Sequence, residues 1–193
     1  MTIYCARSEE EMYSETGSWR SLPTHIPSVV FKTRVRDESI GGDNPYHWQD
    51  VSTWDLFAGK KVVLFSLPGA FTPTCSTFQL PGFERIAPDL YAKGFDEIYC
   101  VSVNDSFVMN KWAKENNLEY VQVIPDGNAK FTEEMDMLVD KENLGFGRRS
   151  WRYACVVDNG QITDWFIEEG KEDNCPVDPY LYTNPEYILS HIG

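Results

Sequence analysis

The sequence predicts an α/β fold with a mixed central β-sheet covered by helices on both faces. Three observations carry that prediction. Val62 to Leu67 is apolar along nearly its whole length, as a central strand buried on both faces requires. Downstream, segments with apolar residues at helical spacing alternate with short strand-like segments, the pattern of parallel strands joined by helical crossovers. "WRYACVV" and "QITDWFIEE" then flank "DNG", a hairpin signal that adds antiparallel strands to the sheet.

In chain order, residues 1–23 are polar and end in "RSLPTHIP", which reads as an N-terminal extension ahead of one domain over 24–193. Val29 to Val35 alternates with Lys32 and Arg34, as a half-buried strand does, and "RDESIGGDNPYHW" reads as a loop. Val51 to Phe57 suits a short helical turn. Cys75 to Lys93 carries Phe78, Phe83, Ile86 and Leu90 at helical spacing and stops at Gly94; Pro81 should kink it or mark its first turn. Glu97 to Val103 reads as a strand and Asp105 to Asn116 as a helix capped by Asn104 or Asp105. Tyr120 to Ile124 reads as a strand ended by "PDG", Ala129 to Met137 as a helix, and Pro185 to Ile192 as a closing helix. This is the layout of a thioredoxin-like fold. In an open α/β sheet the reactive site lies just past the carboxyl end of a central strand, where Cys75 falls.

The net charge of −13 over 193 residues opposes association with nucleic acid or an anionic membrane. "MTIYCARSEEEMYSETGSW" has neither the basic and apolar regions of a secretory signal nor the acid-poor composition of a transit peptide. No apolar run approaches the roughly 18 residues that span a bilayer. A cytoplasmic protein is expected. The five cysteines, Cys5, Cys75, Cys100, Cys155 and Cys175, form no C-x-x-C, and the three histidines, His25, His47 and His191, are scattered. That pattern implies no disulfide framework, no metal and no cofactor.

One thiol stands apart. "SLPGAFTPTCS" follows the central strand and holds Cys75 at the start of the next helix, where unpaired N–H groups and the helix dipole favour a thiolate. The competing reading is a small buried hydrophobe. Thr72, three residues earlier, can cap the helix or touch a substrate oxygen; Pro68 and Pro73 stiffen the loop, and a proline ring can shield the sulfur. In a protein this acidic a thiolate needs a local cation. If residues 151–157 form a strand, Arg152, Ala154 and Val156 share one face, which desolvates an arginine that still keeps its charge. Its anionic partner is either the thiolate or a core carboxylate. Arg148 and Arg149 read as solvated, or as outer support.

"PGAFTPTCS" with "LPGFE", "VSVNDSFVMNKW", "IPDGNAKFTEEMDM" and "GFGRRSWRYACVVDNG" resembles the atypical, type II (peroxiredoxin-5-like) peroxiredoxins, especially the peroxidase domain of bacterial hybrid peroxiredoxin-glutaredoxin proteins. The resemblance covers residues 24–192. It implies reduction of hydrogen peroxide and alkyl hydroperoxides by Cys75, whose sulfenic acid is recycled by glutathione with glutaredoxin or by thioredoxin. It further implies that Pro68 shields the sulfur, that Thr72 and the Cys75 N–H position the peroxide, and that Arg152 stabilises the thiolate. Dimers are common in the family, and Trp54, Phe71, Phe78 and Phe107 are candidates for such a contact or for the core. Three features depart from the family pattern. Gln79 stands where His is common. No glutaredoxin domain follows Gly193, so a separate reductant is expected. Cys175, in "EDNCPVDPY", is either a resolving cysteine or a free surface thiol. The alternative function is a redox-sensing module that oxidises Cys75 only to signal; the missing C-x-x-C argues against a disulfide oxidoreductase.

Overall fold

The computed structural model describes residues 22–193, so the expected N-terminal extension, with Cys5, lies outside it apart from Leu22 and Pro23. The described chain opens with an antiparallel pair, β1 (Val30–Arg36) and β2 (Tyr46–Ser52). β2 starts inside the stretch that reads as a loop. Its Tyr46 and Trp48 face Arg36 and Arg34 across the ladder, and the Arg34 guanidinium lies 5.3 Å from the Trp48 ring and 4.8 Å from that of Phe107. Such cross-strand cation–π contacts hold a strand that composition alone would break. Helix α1 (Thr53–Phe57) follows directly, its first turn fixed by reciprocal bonds between Ser52 and Asp55.

β3 (Lys61–Ser66) is the middle strand of a five-stranded sheet. After it come a short π-helical turn at Cys75–Gln79, α2 (Leu80–Ala92), β4 (Glu97–Ser102), α3 (Ser106–Glu115) and β5 (Val121–Pro125). Asp105, of the two candidates, caps α3, its carboxylate accepting from Phe107 N and Val108 N. Helix α4 (Lys130–Glu134) is shorter than the periodicity predicts, because Ala129 and Asp136 both take left-handed backbone angles, φ 58° and 57°. β6 (Leu138–Asp140) pairs with β7 (Arg148–Ser150) in a ribbon too short for any period to reveal. β8 (Tyr153–Asp158) and β9 (Gln161–Ile167) form the expected hairpin, turning at Asn159 and Gly160 with φ 47° and 82°. α5 (Pro185–His191) closes the chain.

The sheet order is β5-β4-β3-β8-β9, with β4 parallel to β3 and β5, and β8 antiparallel to β3 and β9. This is the mixed sheet of a thioredoxin-like fold. Side-chain alternation sends Val63, Phe65, Cys100, Ala154 and Val156 into one apolar cluster with residues of α2, α3 and α5. Val62, Leu64, Tyr99, Cys155 and Val157 enter a second, with Phe57 of α1, Phe131 of α4 and Phe31 of β1. Both faces are therefore covered. α2 lies so close to α5 that a Cβ at Gly82 would stand 2.8 Å from Pro185 Cγ. No helix among the described residues is long and apolar enough to cross a membrane.

Candidate active site

The segment between β3 and α2 is shaped by its prolines and its neighbours. Helical geometry begins at Pro73, the position where a missing N–H costs nothing, so Cys75 sits in the first turn and its N–H has no partner inside the helix. Thr72 is the residue before that turn. Its carbonyl accepts from Ser76 N at 3.0 Å, but its hydroxyl turns back to donate to Gly69 O at 2.8 Å. Phe71 takes φ 64°, a left-handed angle that costs a phenylalanine of order 1 kcal/mol and sharpens the turn. Pro81 has no N–H and its ring would collide with the carbonyl four residues back; the π turn relieves this, with Leu80 N–H donating to Cys75 O.

Three residues to which the sequence reading gave no part in this loop, Asn104, Trp112 and Arg149, fasten it. Asn104 Oδ1 accepts from Ala70 N at 3.0 Å and from Ser102 Oγ at 2.7 Å. The buried Trp112 donates from its indole to Ser76 Oγ at 3.0 Å. Of its two expected places Arg149 takes the outer support: it is half-buried, bonding Val103 O and Phe146 O at 3.0 Å each, with Nη1 only 3.1 Å from where a Gly69 Cβ would stand. Pro68, next to Gly69 in the chain, is buried.

Cys75 has no exposed surface and packs in the apolar cluster with Leu67, Leu80, Phe83 and Cys100. Into that cluster comes one cation. Arg152, 1% exposed, points Nη1 at Cys75 Sγ, 3.5 Å away, and also donates from Nη1 to Gln79 Oε1. Nη2 donates to Asp178 Oδ1 at 2.6 Å, and Nε to Pro179 O at 3.1 Å. Burial opposes the guanidinium charge, but the Cys75 sulfur and the Asp178 carboxylate outweigh it and raise the Arg152 pKa. The Cys75 sulfur and a carboxylate thus both lie on Arg152, but that carboxylate, Asp178, is 45% exposed and not the core acid that was the expected alternative. Arg152 lies one residue before β8, because β3 ends opposite Tyr153 and offers it no ladder partner; its side chain still points to the Ala154 and Val156 face.

Gln79 is fully buried, and while its Oε1 meets Arg152 its Nε2 has no hydrogen-bond partner. Cys175 is not brought to the site. It is 4% exposed rather than a surface thiol, and it packs in the cluster on the opposite face of the sheet from Cys75. Asn174, hydrogen-bonded to Asp140 and Asn143, draws it inward. Trp54, Phe71, Phe78 and Phe107 are all exposed, between 49% and 76%.

Comparison with known proteins bears on this arrangement. Residues 43–181 match the Redoxin family model. A peroxiredoxin of Rhizobium etli is 58% identical over 169 residues, spanning 88% of this chain and 94% of that protein. The chain belongs to the peroxiredoxin family. Hybrid peroxiredoxin hyPrx5 of Haemophilus influenzae is 47% identical over 168 residues, 87% of this chain and 64% of that longer protein. This peroxiredoxin is therefore of the atypical type, close to the bacterial hybrids. The crystal structure of a Plasmodium falciparum antioxidant protein, a 1-Cys peroxiredoxin, superposes with a TM-score of 0.79 at 38% identity, covering 86% of this chain and 96% of that one. As a peroxiredoxin, the protein is a thiol-dependent peroxidase.

Proposed function

We propose that Cys75 is the peroxidatic nucleophile, acting on hydrogen peroxide and alkyl hydroperoxides, and that a separate thiol reductant recycles it. The observation that carries this reading is the Arg152 guanidinium 3.5 Å from a sulfur otherwise enclosed by hydrocarbon. A fixed positive charge in so apolar a site favours the thiolate and the charge developing on a departing oxygen.

The thiolate sulfur attacks one peroxide oxygen, an S–O bond forms as the O–O bond breaks, and the departing alkoxide or hydroxide takes a proton. Sulfur is oxidised by two electrons to the sulfenic acid and the peroxide is reduced to an alcohol or water. Thr72 and the Cys75 N–H hold the peroxide: the hydroxyl hydrogen is committed to Gly69 O, which leaves its lone pairs to accept from the peroxide O–H, while the free N–H donates. Pro68 keeps bulk water from the sulfur. A reducing thiol then condenses with the sulfenic acid to a mixed disulfide and water, and a second thiol releases Cys75. Glutathione with glutaredoxin, or thioredoxin, fills that role; the likeness to hybrid peroxiredoxins favours the former.

The sheet between Cys75 and Cys175 favours a one-cysteine cycle. The exposed rings of Phe71 and Phe78, on the segment that carries Cys75, support a homodimer contact there. Replacing Cys75 with Ser should abolish peroxide turnover in assays coupled to either reductant system. Appreciable turnover in Cys75→Ser would contradict the assignment.

A further inference from the structure

Asp178 has no part in the chemistry described so far, yet its carboxylate makes the shortest ion pair to the guanidinium that faces Cys75, 2.6 Å from Nη2. It arrives on the segment between β9 and α5, which is anchored at a second point. Glu168, 1% exposed, accepts from Leu181 N at 2.8 Å and from both the N–H and the hydroxyl of Thr183 at 2.8 and 2.7 Å. Pro179 O on the same segment takes Arg152 Nε. The carboxylate is thus held against Arg152 by backbone contacts of the residues that follow it, while its own side chain stays 45% exposed.

We propose that Asp178 is a tuning residue of the peroxidatic site, sharing Arg152 with Cys75 and serving as its counter-ion when the sulfur carries no charge. A guanidinium this buried needs an anion in every state of the cycle, since an unpaired buried charge is strongly destabilising. Cys75 supplies one only as the thiolate; as sulfenic acid or mixed disulfide it supplies none. The other titratable groups acting on Arg152 are neutral near pH 7. Burial and the neighbouring Cys75 push the Cys100 thiol on β4 well above its usual range, and burial pushes Tyr180, whose ring lies 5.6 Å from the guanidinium, up to about 12. Glu168, Glu186 and Arg85 act on that tyrosine in turn. Asp178 is left as the one carboxylate bonded to this cation among the described residues. Its negative charge withholds part of the guanidinium field from the sulfur, keeping the thiolate more basic and more nucleophilic than Arg152 alone would leave it.

The inference rests on Cys75 as the reactive thiol, and its test reads that thiol without peroxide. The reduced protein is alkylated with iodoacetamide across pH, the rate at Cys75 being followed by peptide-resolved mass spectrometry. Asp178→Asn keeps the side-chain oxygen and removes the charge. Its profile should move to lower pH, with alkylation severalfold faster on the rising limb and slower at the high-pH plateau, because a less basic thiolate is a weaker nucleophile. Asp178→Glu should keep the wild-type profile, and Asp178→Ala should move as Asp178→Asn does. A profile for Asp178→Asn that stays in place, or moves to higher pH because Arg152 has come loose, overturns the proposal. Peroxide turnover is measured alongside: a wild-type protein without it defeats the peroxidatic reading, whereas the alkylation profiles decide the sharing of Arg152.

Discussion

At the scale of single residues, the site is an arrangement around one guanidinium. Arg152 bonds Cys75, Gln79, Asp178 and Pro179 at once, so its orientation does not depend on the charge of the sulfur it faces. Arg152→Ala should therefore remove a positioned charge without an alternative group taking its place. The expected loss in the second-order rate with hydrogen peroxide is on the order of 100- to 1,000-fold, the usual effect of deleting one donor from a developing oxyanion. Alkylation of Cys75 should move to higher pH at the same time. Stopped-flow kinetics and an alkylation series would check both, and an unchanged alkylation profile would deny Arg152 its electrostatic role. The meeting of Cys75 and Arg152 was legible in the sequence because local spacing carries it: a proline-punctuated loop after an apolar run, and an arginine beside small residues. Asp178 was not, since it reaches Arg152 from 26 residues away along a segment without periodicity.

At the scale of elements, the strands and helices that follow a clear period were legible and the rest were not. β3, the β8–β9 hairpin and α5 lie where the continuous apolar run, "DNG" and Pro185 put them. β2 escaped because its residues are held by cross-strand contacts to Arg34 and Arg36, which a linear pattern does not display. The β6–β7 ribbon has three residues a side, fewer than a period can establish. Pro81 was visible, whereas its consequence, a π turn that sets how Cys75 and Gln79 face Arg152, requires knowing which carbonyl the ring would strike. The contact between α2 and α5 is similarly hidden until Gly82 meets Pro185. Gly82→Ala should destabilise the fold: overpacking costs about 1–3 kcal/mol, more than the roughly 1 kcal/mol that alanine returns in helix propensity. Urea unfolding should give a lower midpoint with the slope unchanged; a midpoint equal to or above wild type would mean that α5 yields freely.

At the scale of the whole molecule, the sheet divides the four described cysteines into two pairs. It separates the cluster holding Cys75 and Cys100 from the one holding Cys155 and Cys175, and all four thiols are buried. Burial raises the thiols of Cys100 and Cys155, and neither has a hydrogen-bonded cation. The sequence shows that the cysteines are scattered; only the fold shows that, of the four described, Cys75 alone has the guanidinium at bonding distance. Treating the reduced protein with one equivalent of hydrogen peroxide, trapping sulfenic acid with dimedone and mapping each cysteine by mass spectrometry tests this directly. The adduct should fall on Cys75, with Cys100, Cys155 and Cys175 unmodified; an adduct spread across the buried thiols, or a Cys75 left reduced, would contradict it.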